Sequence, residues 1–370
     1  MDVYESLGIK KIINGWGTVT MIGGSLMDPE VVKAMSEAAR SYVDIRILHK
    51  KAGDKIAELL GCEACSITSG AAAGMAISAA ACMTKGDASR VLQLPDTTGM
   101  PNEVLMLKSH RILYDQALSL TGAKIIEIGV TSAANLRQIE TAVSEKTACF
   151  FYVAEAERMR GSIPLPLIAE VLRKFKIPIV VDAAAELPPK ANITKYLDQG
   201  ADLAIFSGGK ELRGPQSSGL IVGKREWIES CEANNYPYYS IGRSMKLDKE
   251  TIVGLVKAVE LFVKKDYEIQ MEAWNTMVAE MIASLSVLPG LLVRRGFPTE
   301  PGVQPTIIPR VYITPSSLSA RELQARLARM DPAVYIDVQG EEAVVNPQCL
   351  EQDQIPIVID SIRNVMKSPL

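Results

Sequence analysis

The stretch Ile205-Phe206-Ser207-Gly208-Gly209-Lys210-Glu211-Leu212-Arg213-Gly214-Pro215-Gln216-Ser217-Ser218-Gly219 joins two apolar runs through a glycine-rich turn that carries one lysine. The second run continues as Leu220-Ile221-Val222-Gly223. Upstream, Ile179-Val180-Val181 ends in Asp182-Ala183-Ala184. Runs of aliphatic residues without polar alternation are strands buried on both faces, as in a parallel or mixed sheet covered by helices. Ligands in such sheets bind at the carboxyl ends of the strands. Lys210 and Asp182 both fall there.

Four further runs of this kind occur at Ala64–Thr68, Glu103–Leu107, Lys124–Ile128 and Ala148–Val153. Helical patterns alternate with them at Lys55–Leu60, Gly70–Met83, Leu113–Leu120 and Leu165–Phe175. Seven strands alternating with helices predict an α/β fold whose large domain, residues 43–245, is a three-layer α/β/α sandwich around a mostly parallel seven-stranded sheet. After Met245 the character changes. One helical stretch runs from Lys249 to Leu288 and stops at Pro289-Gly290. Strand-like runs (Leu291–Arg294, Ile307–Ile313, Val334–Val338, Glu342–Val345) and helical ones (Ala320–Met330, Gln354–Lys367) follow. They predict a small α+β domain over 246–370. Residues 1–42, with Asn14-Gly15-Trp16-Gly17-Thr18 and the helical Pro29–Tyr42, are expected to pack across both domains.

Composition narrows the function. The chain has 370 residues, 48% hydrophobic and 22% charged, enough for a sizeable core. A net charge of −3 gives no basic field for nucleic acid. No run of 18 apolar residues suggests a membrane span, and Met1-Asp2-Val3-Tyr4-Glu5 lacks the pattern of a signal peptide. Six cysteines in a chain of this length fit a reducing cytosol better than a disulfide framework. Cys62-Glu63-Ala64-Cys65 is a single C-x-x-C with only His49 and His110 to assist it, so no metal site is expected.

A lysine at one strand end and an aspartate at another are the pair that pyridoxal phosphate (PLP) chemistry needs. The amine forms a Schiff base with the cofactor, and the carboxylate keeps the pyridinium nitrogen protonated. Asp182 could instead cap a helix. Ala184 is small enough to lie under the ring. Thr68-Ser69-Gly70-Ala71-Ala72-Ala73-Gly74 leads from a strand into an apolar helix, and its free N–H groups would form a phosphate cup that Ser207 completes. Simple capping by Ser69 is the plain alternative. His110, in Lys108-Ser109-His110-Arg111, sits after a strand where an imidazole could stack on the cofactor. His49 is weaker evidence. Glu155 and Glu157 follow Phe150-Phe151-Tyr152-Val153, and one of them could be the acid for a departing hydroxyl. Arg213 and Arg310 are candidates to hold a carboxylate or phosphate.

At these residues the chain resembles the selenocysteine-synthase-like superfamily of fold-type-I PLP enzymes, over nearly its whole length. The resemblance rests on Ile13-Asn14, Gly23-Gly24-Ser25-Leu26-Met27, Val43-Asp44, Thr68 to Ala73, Ser109-His110-Arg111, Asp182-Ala183-Ala184, and Ser207-Gly208-Gly209-Lys210 with Arg213-Gly214-Pro215-Gln216. It is nearer to the D-glucosaminate-6-phosphate ammonia-lyase branch than to true selenocysteine synthase. It implies Lys210 as the Schiff-base lysine, Asp182 on the ring nitrogen, and Ser69, Gly70, Ala71 and Ser207 around the phosphate. It also implies a homo-oligomer with shared sites, in which the Gly214-Pro215-Gln216 loop serves a neighbour. True selenocysteine synthase has an extra N-terminal domain for its tRNA, whereas the shared core here begins near Met1.

The reading is a cytoplasmic PLP enzyme that abstracts an α-proton from a 2-amino-3-hydroxy acid, expels the β-hydroxyl, and yields a 2-keto-3-deoxy acid and ammonia. A racemase or epimerase, a seryl-tRNA selenium transferase and a catalytically silent regulatory protein are the rivals. The racemase shares every residue identified so far.

Overall fold

A computed structural model describes residues 2–367. The strands are β1 (Ile12–Gly15), β2 (Ala64–Thr68), β3 (Glu103–Leu107), β4 (Lys124–Ile128), β5 (Thr147–Val153), β6 (Ile179–Asp182), β7 (Leu203–Ser207), β8 (Gly219–Gly223), β9 (Leu291–Gly296), β10 (Arg310–Pro315), β11 (Ala333–Gln339) and β12 (Glu342–Val345). All seven strands expected in the large sheet are present, in the order β2-β8-β7-β6-β5-β3-β4. β8 runs antiparallel to β2 and β7, and the other neighbours are parallel. Residues of β2, β5, β6 and β8 are buried throughout, which explains why these strands read as unbroken apolar runs.

The helix Ala71–Thr84 is buried from Ala73 onward. Its small residues let it lie directly on the sheet: a Cβ at Gly74 would stand 2.8 Å from Cγ2 of Ile205 in β7. The core on this face joins Met75, Ile77 and Met83 to Val104, Phe151, Val180 and Ile205. One expected element is slighter than its pattern suggested. Leu113–Leu120 forms a 3-10 turn, Leu113–Asp115, and a single helical turn, Gln116–Ser119.

The chain divides into two compact units. The larger comprises Met27–Lys265 and Glu300–Gln304; the other takes the chain up to Leu26, Asp266–Thr299 and everything from Pro305. The boundary falls after Lys265, because the helix Lys249–Lys264 packs on the helices Pro29–Ala38 and Ile45–Leu60 of the larger unit. The single helix expected from Lys249 to Leu288 is therefore two. Asp266 interrupts it by accepting the N–H groups of Glu268 and Ile269, and so starts a new helix, Tyr267–Leu285. The smaller unit holds a five-stranded sheet in the order β1-β11-β12-β10-β9, with a core that includes Trp274, Met281, Val311, Ile336 and Ile362. β1 pairs with β11 in parallel, so the first strand of the chain belongs to this sheet. Among the described residues no helix is long and apolar enough to cross a membrane.

Candidate active site

Three adjacent strand ends build the first half of the site. Thr68, the last residue of β2, pairs with Gly219, and Gly219 pairs with Ser207, the last residue of β7. Past Thr68 the chain turns at Gly70, in a left-handed conformation with φ 107°, into the helix Ala71–Thr84. No side chain caps this helix, so Ser69 does not act as the expected alternative had it. Ser69, Gly70 and Ala71 are half-buried around free backbone N–H groups, where the helix end favours an anion. Gly219 must lack a side chain. Its Cβ would stand 2.7 Å from the carbonyl carbon of Gly70 and 3.0 Å from the N of Ala71.

The lysine loop follows β7. Gly208 and Gly209 are glycines because of packing, for neither has a positive φ. A Cβ on Gly208 would meet Oγ of Ser218 at 2.1 Å, and one on Gly209 would meet Cα of Gln216 at 2.7 Å. The loop is closed by main-chain bonds: the Gly208 N–H donates to the Ser218 carbonyl (2.8 Å), Gly214 to Gly208 (2.8 Å) and Arg213 to Lys210 (3.0 Å). Arg213 adopts φ 51°, a conformation that costs a non-glycine residue on the order of 1–3 kcal/mol. Behind the loop, the buried Glu211 carboxylate meets the Lys265 ammonium at 3.0 Å and ties it to the end of the helix Lys249–Lys264. Lys210 itself is half-buried.

Asp182 lies one strand over, at the end of β6 beside Ile205 of β7. It accepts the Ala184 N–H at 3.1 Å. Burial raises its pKa, while that N–H and the charge of Lys210 pull it back down. Such a carboxylate is stabilised by any cation brought near it. Lys210, Asp182, Ala184 and Glu155 line one cavity of about 30 Å³, with Ile112, Tyr114, Ala185 and Glu186. Burial, and then the charge of Asp182, raise the pKa of Glu155.

The other expected residues have different settings. Glu157 pairs with Lys195 at 3.3 Å and is not part of the cavity wall. His110 is buried at the end of the β3 region and does not line the cavity either. The Val153 N–H donates to its Nδ1 (3.1 Å), which leaves the proton on Nε2, 2.8 Å from Oγ of Ser162. Its ring meets Tyr152 edge-on with centroids 4.5 Å apart. Burial pushes its pKa down to about 4, so the imidazole is neutral at pH 7. His49 is likewise buried and depressed to about 4, inside the helix Ile45–Leu60. Arg310 opens β10 in the smaller unit, where burial lowers its pKa.

Glu186 was missed by the sequence reading, which stopped at Ala184. The signal was an acidic residue in an otherwise alanine turn, Asp182-Ala183-Ala184-Ala185-Glu186, at the ligand edge of the sheet.

A half-buried amine and a buried carboxyl facing one cavity, beside an open helix end at the carboxyl edge of this sheet, define a class. The fold is that of the fold-type-I PLP enzymes. The chain belongs to the L-seryl-tRNA selenium transferase (SelA) family, whose model matches residues 12–286. D-glucosaminate-6-phosphate ammonia lyase of Salmonella typhimurium is 32% identical over 372 residues, 98% of each chain. The 5'-C-glycyluridine monooxygenase-decarboxylase of a Streptomyces species is also 32% identical, over 98% of this chain and 92% of its own. A solved D-glucosaminate-6-phosphate ammonia-lyase superimposes with a TM-score of 0.86 at 31% identity, covering 99% of this chain and 98% of the other.

The packing of the lysine loop makes a direct prediction. Gly209→Ala should lower stability by about 1–3 kcal/mol through overpacking against Gln216, read as a lower urea midpoint. An unchanged midpoint would mean that the 214–218 segment moves aside freely.

Proposed function

We propose that this protein is a PLP-dependent ammonia-lyase. It removes the α-proton of a 2-amino-3-hydroxy acid, with D-glucosaminate 6-phosphate or a similar amino sugar acid the best substrate, and forms a 2-keto-3-deoxy acid and ammonia. The observation that carries the reading is the convergence of Lys210, Asp182 and Glu155 on one cavity. The full-length likeness to a protein named for this reaction supports it.

The residues fit the cofactor. Lys210 Nζ is the amine for its carbonyl. The uncapped N–H groups after Gly70, with Ser69, Ala71 and Ser207, suit a phosphate, and the bare Gly219 keeps that cup open. Asp182 suits a protonated ring nitrogen, since a cation there offsets the cost of burying its charge. Ala184, on the cavity wall, leaves room for a flat ring, whereas His110 is fully buried outside that wall, which sets it apart from the stacking role expected of it. The Gly214 turn holds the lysine loop in place through Gly208. When bound, the cofactor supplies a sink for the electron pair left behind by the α-proton.

The chain's own groups do the rest. Lys210 Nζ, on the half-buried lysine of the cavity wall, takes the α-proton and holds it in the cavity. Glu155 accepts hydrogen bonds from substrate hydroxyls, and Arg213 holds the substrate's anionic end. By the same reading the protein is cytoplasmic, acts on a small molecule rather than nucleic acid, and assembles as a homo-oligomer.

Three outcomes are expected. Incubation with PLP and then borohydride should label Lys210 alone; a label on another lysine removes the site assignment. Gly219→Ala should weaken PLP binding about tenfold or more, a loss of about 1.4 kcal/mol, and leave pyridoxal, which has no phosphate, nearly unaffected. Equal losses for the two would place the phosphate elsewhere. Turnover should release ammonia and keto acid in equal amounts. Exchange of the α-hydrogen with inversion and no ammonia would instead establish the epimerase.

A further inference from the structure

Two carboxyls besides Asp182 line the cavity, and their surroundings differ. Glu155 feels the Asp182 carboxylate and the Lys210 ammonium. Glu186 lies in the turn that begins at Asp182, and its main-chain N–H donates to the Ala183 carbonyl at 3.1 Å. Asn192 Nδ2 donates to the Glu186 carbonyl at 2.6 Å, which fixes the turn against the helix Asn192–Asp198. Glu186 is 9% exposed, and its Oε1 is buried without a hydrogen-bond partner. The hydroxyls of Tyr196 and Tyr152 are also buried without one.

Few charges face Glu186. Tyr196 and Lys195 approach from the helix Asn192–Asp198, and Glu155 and Glu157 from the turn after β5. Asp182, Lys210 and Tyr114 complete the cavity wall. Lys195 is already paired with Glu157. Burial and the nearby Glu155 and Glu157 carboxylates favour the protonated form of Glu186, while Tyr196 and Lys195 oppose them. Burial accordingly pushes Glu186 up to about 7. That is the acid a hydroxide leaving group requires, because the best general acid has a pKa near the working pH.

We propose that Glu186 is the catalytic acid that protonates the departing C3 hydroxyl, with Lys210 as the base on Cα. This rests on the lyase reading above and deepens it. The α-proton passes to Lys210 Nζ, and its electron pair forms the new bond between Cα and C3. The C3–O bond breaks with its pair on oxygen, and the Glu186 proton joins that oxygen, so water leaves. Glu186 remains as a carboxylate and regains a proton from the substrate's ammonium group. Lys210 returns its proton to C3, and water then replaces nitrogen at Cα to give the keto acid and ammonia. No oxidant or reductant enters.

The test compares leaving groups in the cofactor-loaded protein. Glu186→Gln should lower the rate of ammonia release from the 3-hydroxy acid by about 100-fold or more. The same variant should eliminate chloride from a 3-chloro-2-amino acid at nearly the parent rate, since chloride needs no proton. It should also still wash deuterium from C2 of the hydroxy acid. Equal losses on both substrates, or no loss on either, overturn the role of Glu186. A parent that releases ammonia from the chloro acid but from no hydroxy acid also overturns it, and leaves the PLP class standing. A parent that releases ammonia from neither overturns the lyase reading, and the Glu186 role with it.

A second readout needs no turnover. The folded pKa of Glu186 lies above its reference value of 4.5, so its contribution to stability is complete below that value and is lost as the pH rises towards about 7. The melting temperature of the parent should therefore fall more between pH 5 and pH 8 than that of Glu186→Gln. Parallel curves would show that Glu186 does not hold a proton in this range, and would overturn the assignment.

Discussion

The site depends on a buried carboxylate set against a half-buried amine across two neighbouring strands. Asp182 ends β6, Lys210 follows β7, and the charge of Lys210 lowers the cost of keeping Asp182 ionised at the cavity. An isolated buried carboxylate would take up a proton instead. Everything nearby serves to hold that pair apart at a fixed spacing. The parallel register sets β6 against β7, the loop bonds from Gly208 to Ser218 and Gly214 shape the turn, and the Glu211–Lys265 ion pair anchors it from behind. Breaking that last pair would leave a charge buried on the wrong side of the lysine.

Much of this was legible in the chain. Strands buried on both faces cannot carry polar alternation, so the seven runs of the large sheet stood out at nearly their true bounds. Lys210 and Asp182 stood out because strand ends are where an α/β sheet presents chemistry. The helices were harder to read. An apolar period of 3.6 continues across Lys265-Asp266, and only the cap formed by Asp266 shows that the chain starts a second helix there. The unit boundary moved for the same reason, since packing on Pro29–Ala38 and Ile45–Leu60 cannot be seen in a periodic pattern.

What the sequence could not show was environment. Glu155, Glu157 and Glu186 are the same residue within one short region, yet they differ in the structure. The first is pushed upward by burial and by the Asp182 carboxyl, the second pairs with Lys195, and the third is pushed upward by burial beside Tyr196. His110, expected to stack on a cofactor, is buried and neutral, as is His49. The glycines of the lysine loop were read as a sharp turn, and the structure adds that close packing requires them.

This difference bears on how reaction type is set within the family. Two proteins each 32% identical to this chain are named for an ammonia-lyase reaction and for an oxygenating decarboxylation. A lysine, an aspartate and an anion-binding helix end would serve any reaction that needs a stabilised carbanion, so such parts alone cannot choose between outcomes. The choice lies with whatever meets the carbanion next. A proton donor placed beside a C3 oxygen directs it towards elimination. A donor on the opposite face of Cα would return it as the epimer. In this chain the second acidic wall of the cavity is built by the turn that starts at Asp182, with the helix Asn192–Asp198 behind it. The start of that segment is tied to the sheet, since the Ala183 N–H donates to the Ile205 carbonyl of β7 at 2.9 Å and the Ala184 N–H to Asp182 at 3.1 Å. Residues 185–196, beyond that tie, are where relatives with different chemistries should be compared first.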